Sequence, residues 1–278
     1  METKNRFLFV IVSMLFPVCS IMLLPLTTAA QLFTLNRAEQ KHSGKYDEID
    51  FLDNQYQRIN DTLYACDIEV AQKDYKNFLN NLLQEDYEKC KIDSSLWQSK
   101  FTFAYNEGMV KYYHAHSVFD RYPVVNISYY GAVKYCESLT IRYNRWHTKK
   151  MKFKLPTQQE WMQLSNTNPA TKLPYNLLNG KNKDQCYLEN IKAYAGDSSS
   201  YAEDGGFYTV RTDAYWPSNF GLYNVVGNAA EMTDIEGIQK GGSWYDDLKD
   251  CFTDKVQNYT TPDPRVGFRV VAVVLRKQ

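Results

Sequence analysis

The chain has 278 residues, with 32 Lys and Arg against 32 Asp and Glu, so its formal net charge is zero. Balanced charge without a basic or acidic run leaves no electrostatic footprint for nucleic acid, and no nucleic-acid partner is expected. With 44% hydrophobic residues the chain can bury a core, and 22 Tyr, 14 Phe and 5 Trp predict aromatics standing between short strands and loops. At the N-terminus, Lys4 and Arg6 precede an apolar run from Phe7 to Leu26, which ends in Thr27, Thr28, Ala29 and Ala30. That order predicts a secretory signal peptide over 1–30, hence a chain exported to the periplasm or cell surface. The run is long enough that, uncleaved, it would serve as a membrane anchor. Lipidation at Cys19 is disfavoured, because Val18 is larger than the residue that normally precedes a lipidated cysteine.

Residues 31–58 are polar and charged without periodicity and read as a tether. From 59 to 278 no Pro/Gly/Ser linker divides the chain, which predicts a single domain. Within it, Tyr75, Phe78, Leu79 and Leu82 lie at helical spacing in 70–83. Ala132, Cys136, Leu139 and Tyr143 do the same in 128–143, with Ser128 placed to cap. Thr157 and Glu160 form a capping box after Pro156 and open a third helix through Trp161 and Leu164. Strands are predicted at 62–65, 124–127 and 267–274. The stretch 166–244 has little periodicity and much Gly, Asn, Asp, Ser and Tyr. Loops that long need something to replace regular hydrogen bonding, and a metal ion gripped by loop oxygens is one device.

Several segments then resemble one family in order along the chain. Tyr122-Pro-Val-Val-Asn-Ile-Ser-Tyr-Tyr-Gly-Ala-Val-Lys-Tyr-Cys136 is similar to its "HPVV-x-VSW-x-DA-x-AYC" block, and Lys154-Leu-Pro-Thr-Gln-Gln-Glu-Trp161 to "RLPTEAEW". Phe220-Gly-Leu-Tyr-Asn-Val-Val-Gly-Asn-Ala-Ala-Glu231 resembles "YGLYDMxGNVWEW", while Lys240-Gly-Gly-Ser-Trp244 and Gly267-Phe-Arg269 resemble "RGGSW" and "GFR". Asp67 to Tyr75 is similar to the opening "K-x-EVT-x-x-x-Y". The family is that of the formylglycine-generating enzymes, or sulfatase-modifying factors. The resemblance implies an α+β fold, C-type-lectin-like, with low regular secondary structure and calcium-stabilised loops. Tyr105-Asn-Glu107, Tyr112-Tyr113, His116 and Asp213-Ala-Tyr-Trp-Pro217 are closer to a branch among Bacteroidetes gliding-motility and type IX secretion lipoproteins.

Calcium takes six to eight oxygens from carboxylates, amides and backbone carbonyls. By resemblance one ion falls to Asn224, Gly227, Ala229 and Glu231, and a second to Asn190, Ile191, Asp204 and Gly206. The family's oxidation of a substrate cysteine uses two thiols on copper(I), for which soft thiolates are natural ligands. The first thiol position is Asp246 here and the second is Cys251; one thiol and a hard carboxylate do not reproduce that site, so copper is not expected. Cys136 keeps its place, but Val270 stands where the family carries its usual disulfide partner. The pairing of Cys66, Cys90, Cys136, Cys186 and Cys251 does not follow from sequence. His114 and His116, two apart, would share a strand face, but no third ligand is spaced for a metal.

The expected function is a non-catalytic domain that binds a protein partner or has a structural role in the cell envelope, of gliding-motility or type IX secretion type. The alternatives are a copper-dependent oxidase converting a cysteine to formylglycine and a calcium-dependent glycan- or ligand-binding module. A membrane contact is expected only if the N-terminal segment is retained or lipidated.

Overall fold

The computed structural model describes residues 55–101, 106–177, 180–192, 204–260 and 262–275. The expected signal peptide, and all of the tether except its last four residues, lie outside them. Those last residues are not tether: Tyr56–Arg58 form β1, an edge strand paired with β2, Leu63–Cys66. Tyr56 is apolar and buried, so its ring seats the chain on the core before residue 59.

Two further strands complete an antiparallel sheet in the order β1-β2-β8-β3, where β3 is Met151–Lys154 and β8 is Val271–Val274. Alternate residues of a strand face opposite sides, and this sheet uses both. Ala272, Met151 and Phe153 join one apolar cluster, while Val271, Leu63 and Ala65 join another with Trp161, Leu164 and Leu222.

Helix α1, Gln72–Leu79, is shorter than the expected 70–83. It closes at Asn80, and Gln84–Cys90 is a separate helix, α2. Leu83 starts α2 fully outside the core at 81% exposure, and a third short helix, α3, spans Leu96–Lys100. Ser128 caps α4, Tyr129–Trp146, by accepting from the Gly131 amide at 3.0 Å. The apolar face of α4 covers the first cluster with Ala132, Tyr135, Cys136, Leu139 and Tyr143. Its polar face also closes the outer edge of β3. Thr140 accepts from Phe153 N at 2.9 Å, and Asn144 exchanges bonds with Met151 N and O at 2.9 and 2.8 Å. An edge satisfied in this way offers no template for further pairing. The expected capping box opens α5, Gln158–Leu164, with both reciprocal bonds made.

Residues 124–127 are not a strand. Asn126 sits at φ 61°, a left-handed conformation that interrupts a ladder, while Val124, Val125 and Ile127 are fully buried in different clusters. The expected strand 267–274 is two strands. A second sheet has the order β6-β5-β4-β7, with β4 Ala230–Met232, β5 Ile238–Lys240, β6 Gln257–Asn258 and β7 Val266–Gly267. The chain leaves β7, crosses to the first sheet through Phe268 to Val270, and enters β8. Arg269 thus sits in the crossing between the two sheets.

Candidate functional site

Arg269 is fully buried and reaches Glu231 of β4. Its Nε donates to Glu231 Oε1 at 2.7 Å, Nη2 lies in ion-pair contact with the same oxygen at 2.7 Å, and Nη1 and Nη2 donate to the carbonyls of Cys66 and Tyr223 at 2.9 and 2.6 Å. Trp161 Nε1 donates to the other oxygen, Glu231 Oε2, at 2.7 Å. A second buried carboxylate lies close by. Glu69 accepts from Ala229 N at 3.0 Å and from Asn228 Nδ2 at 2.8 Å. One guanidinium therefore serves two carboxylates. Burial, and then Glu231, push the Glu69 carboxyl up to about 8, and the attraction of Arg269 only partly offsets them. Glu69 was legible in sequence only as an acid set among the apolar residues Ile68, Val70 and Ala71.

This centre decides how the first expected calcium set stands. Glu231 has both oxygens engaged and its charge matched by Arg269. Asn224, at φ 48°, turns its Nδ2 to the Thr212 carbonyl at 3.0 Å, and its Oδ1 is buried without a partner. Gly227 presses on the Asn190 carbonyl, where an added Cβ would lie at 2.4 Å, and Ala229 gives its amide to Glu69. Glu231 therefore brings this set no uncompensated charge for a divalent cation, and Asn224 Oδ1 is the side-chain donor left open in it.

The second set fits one. Asn190 is fully buried, its Nδ2 donates to the Tyr208 carbonyl at 2.7 Å, and its Oδ1 has no partner. Gly206 comes so close that a Cβ there would stand 2.8 Å from that oxygen, which explains a glycine at this position. Asp204 receives Gly206 N on Oδ1 at 2.9 Å and Ile191 N on Oδ2 at 2.8 Å. Burial pushes its carboxyl up to about 6, and no cation opposes that shift among the described residues. An orphaned amide oxygen beside a carboxylate without a counter-charge is the donor set a hard cation takes. The two sets are neighbours: Asn228, between Gly227 and Ala229, donates its amide to the Asn190 carbonyl at 2.8 Å.

The two thiol positions are occupied structurally. Asp246 Oδ2 accepts from Ser243 N at 2.8 Å and from Ser243 Oγ at 2.6 Å, and its carbonyl accepts from Lys192 N at 3.0 Å. It locks the turn after β5. Cys251 is fully buried with Leu173, Leu177, Ile191 and Val226, and burial pushes its thiol well above the ordinary value. A Cβ on Gly242 would stand 2.2 Å from its Sγ. These residues do not fit copper(I): the one thiol is held protonated by burial, and the carboxylate is tied to Ser243. All five described cysteines are free thiols, with Cys186 exposed.

His114 and His116 do not share a strand face, because they follow a π-helical turn, Met109–Tyr113. His114 Nδ1 meets Gln72 Oε1 at 2.7 Å, and burial pushes it down to about 3; His116 accepts from Val118 N and caps a short 3-10 turn. The segments that pointed to the motility branch also have structural roles. Asn106 holds the carbonyls of Trp97 and Phe101 at 3.0 and 3.2 Å, Tyr113 donates to the Pro123 carbonyl at 2.8 Å, and Asp213 pairs with Arg211 at 3.0 Å.

A sequence model of the sulfatase-modifying factor enzyme 1-like domain matches residues 53–274. The formylglycine-generating enzymes of Bos taurus and Mus musculus are each 28% identical over 179 residues, covering 54% of this chain and 44% of theirs. The match thus spans less than half the length of these relatives. Among solved structures, PvdO from Pseudomonas aeruginosa superposes with a TM-score of 0.51 at 13% identity, covering 76% of this chain and 80% of that one. CarF does so with a TM-score of 0.50 at 17% identity, covering 77% and 87%. At such identities the likeness concerns the fold: mixed helices and sheets in the same arrangement. The matched span, over most of the chain and including every motif described above, places this protein in the sulfatase-modifying factor enzyme 1-like domain family.

Proposed function

We propose that this chain is a non-catalytic member of its family, an exported domain that binds a protein partner or serves as a structural component of the cell envelope. One observation carries the reading. Where oxidation of a substrate cysteine needs two reactive thiols, Asp246 is fastened to Ser243 and Cys251 is sealed beneath Gly242. A buried, protonated thiol is a poor ligand and a poor nucleophile. Export rests on the charged, apolar and small-residue order of 1–30. The gliding-motility and type IX secretion setting rests on the similarity of 105–107, 112–113 and 213–217 to that branch. The formylglycine-generating activity belongs to the relatives by name and is not carried over to this chain.

A calcium ion on Asn190, Ile191, Asp204 and Gly206 is part of the same proposal. It would supply the charge that Asp204 and the orphaned Asn190 oxygen lack, tying together loops poor in regular hydrogen bonds.

The test is direct. Full-length protein, loaded with copper(I), is mixed with a Cys-x-Pro-x-Arg peptide in air beside a working formylglycine-generating enzyme, and the peptide mass is followed. An unchanged peptide is expected; aldehyde formation on the cysteine would refute the non-catalytic reading.

A further inference from the structure

The formal net charge of zero hides an uneven distribution. Between Glu137 and Glu160 the chain carries no acid, but it carries Arg142, Arg145, Lys149, Lys150, Lys152 and Lys154. Lys154 pairs with Glu160, and Arg142 lies within electrostatic reach of Asp74. The other four are exposed, and among the described residues no carboxylate forms an ion pair with them. The fold brings three of these to one end of the first sheet. Strands β2 and β3 start at that end and β8 finishes there, since Leu63 pairs with Val273 and Met151 with Val274. Arg145 lies in the last turn of α4, and Lys149 and Lys150 lie in the connection from α4 to β3. Lys149 Nζ stands over the Tyr64 ring at 5.0 Å. Lys150 Nζ closes α4 by donating to the carbonyls of Asn144 and His147 at 2.6 and 2.7 Å, and the Lys150 carbonyl accepts from Leu275 N at 3.0 Å. Asp61, in the β1–β2 turn at the same end, is already paired with Arg58 at 2.6 Å. Apolar side chains stand bare among these cations. Trp146, the last residue of α4, is 65% exposed and Leu275 45%, while Ile141, one turn before Arg145, is 64% exposed.

A bare indole beside unpaired cations suits a lipid–water interface, where the ring sits at headgroup level and the cations face anionic phosphates. An acidic peptide would match the charges alone, whereas a bilayer takes the charges and the apolar side chains together. We propose that this end of the first sheet is a docking face for an anionic phospholipid bilayer. Trp146 and Leu275 enter the headgroup layer, and Arg145, Lys149 and Lys150 face the phosphates. The contact belongs to the folded domain and is separate from any anchor formed by the apolar run 7–26. It stands whether or not the chain is an oxidase.

The full chain is added to vesicles of phosphatidylcholine, alone or in equal parts with phosphatidylglycerol, whose acyl chains are brominated near the headgroup to quench tryptophan fluorescence. The run 7–26, if retained, would hold the chain to either vesicle, so total binding is not the readout. The readout is the part of the quenching that Trp146→Phe removes. It should be at least about fivefold larger with phosphatidylglycerol than without. It should vanish in about 0.5 M NaCl, where charges are screened beyond about 4 Å. Each basic side chain near an anionic surface is worth about fivefold in the docking equilibrium, so Arg145→Gln with Lys149→Gln should weaken docking about 25-fold and remove most of the Trp146 quenching. Lys183→Gln with Lys249→Gln takes two exposed charges from other loops and should leave it unchanged. The lipid and salt dependence is read without either double variant, so the test does not hang on their folding. Equal Trp146 quenching in the two vesicle types, quenching that survives the salt or the loss of Arg145 and Lys149, or equal loss in both double variants would each overturn the proposal. A face built for an acidic protein gives the first of these results.

Discussion

Replacing Arg269 with Met tests whether the buried charge centre holds the two sheets together. Methionine fills much of the same space but removes the cation, its ion pair with Glu231 and three hydrogen bonds, one to Glu231 Oε1 and one each to the carbonyls of Cys66 and Tyr223. Breaking a buried pair from one side costs about 3–5 kcal/mol because the remaining charge is stranded. Two orphaned carbonyls add on the order of 1 kcal/mol each. A loss of about 5 kcal/mol corresponds to a Tm lower by roughly 10–20 °C in a domain of this size. Glu231→Gln should cost less, about 1–3 kcal/mol, because Glu69 remains to balance the guanidinium. Urea unfolding of the full chain at several pH values gives both quantities. The deficit of Arg269→Met should be smaller at pH 5 than at pH 8. Without Arg269 the two carboxyls stay protonated in the native state to higher pH, so at pH 5 no charge is stranded. A deficit under about 1 kcal/mol, or one of the same size at both pH values, would refute the reasoning.

The native chain itself should lose stability as pH rises. Glu69 is near 8 when folded and near 4.5 as an ordinary glutamate, so the folded state holds more protons between those values. Its contribution is fully present below about 4.5 and lost through about 8, with a slope of at most about 1.4 kcal/mol per pH unit; Glu69→Gln should flatten that fall in urea titrations. Chelation should lower the Tm, by about 2.7 kcal/mol of stabilisation at a hundredfold excess of calcium over its Kd. Asp204→Asn should abolish the calcium response, while Glu231→Gln should leave it in place. Gly242→Ala should destabilise more than Gly205→Ala, though both residues have positive φ, of 70° and 95°. Only Gly242 also meets an atom, Cys251 Sγ at 2.2 Å; Gly205→Ala should cost about 1–2 kcal/mol and Gly242→Ala at least about 2 kcal/mol more, read by thermal melts.

Elements set by local rules were legible in the sequence. Ser128 and the Thr157–Glu160 box cap helices as written, because a cap is decided within four residues. Three of the missed boundaries depended on partners far along the chain. The apolar 124–127 segment reads as a strand until Asn126 is placed at positive φ against His114 and Asp263. The strand 267–274 reads as continuous until the two sheets claim its ends separately. Tyr56–Arg58 look like tether because their pairing partner, Leu63–Cys66, is itself held by β8. Within the candidate site, Asp204 and Gly206 lie beside Asn190 and Ile191 although 13 or more residues separate the two pairs in the chain. The fate of Glu231 was hidden, because its partners Trp161 and Arg269 lie 70 and 38 residues away.

The same distances explain how this chain keeps the family's signature without its thiol pair. Glu69, Trp161, Glu231 and Arg269 come from four separate motifs, and all four side chains meet in the buried centre or border it. Altering one would strand a charge or an indole donor in the core, at several kcal/mol against a net stability of about 5–15 kcal/mol. The thiol positions have no such constraint. Asp246 lies in a turn where a carboxylate can bond its own neighbour Ser243, and the substitution supplies two hydrogen bonds in place of a reactive group. In this chain the matched motifs therefore meet at the charge centre that joins its sheets. On the proposed non-catalytic reading, the two positions after β5 are given over to structure, Asp246 to the turn with Ser243 and Cys251 to the apolar cluster beneath Gly242.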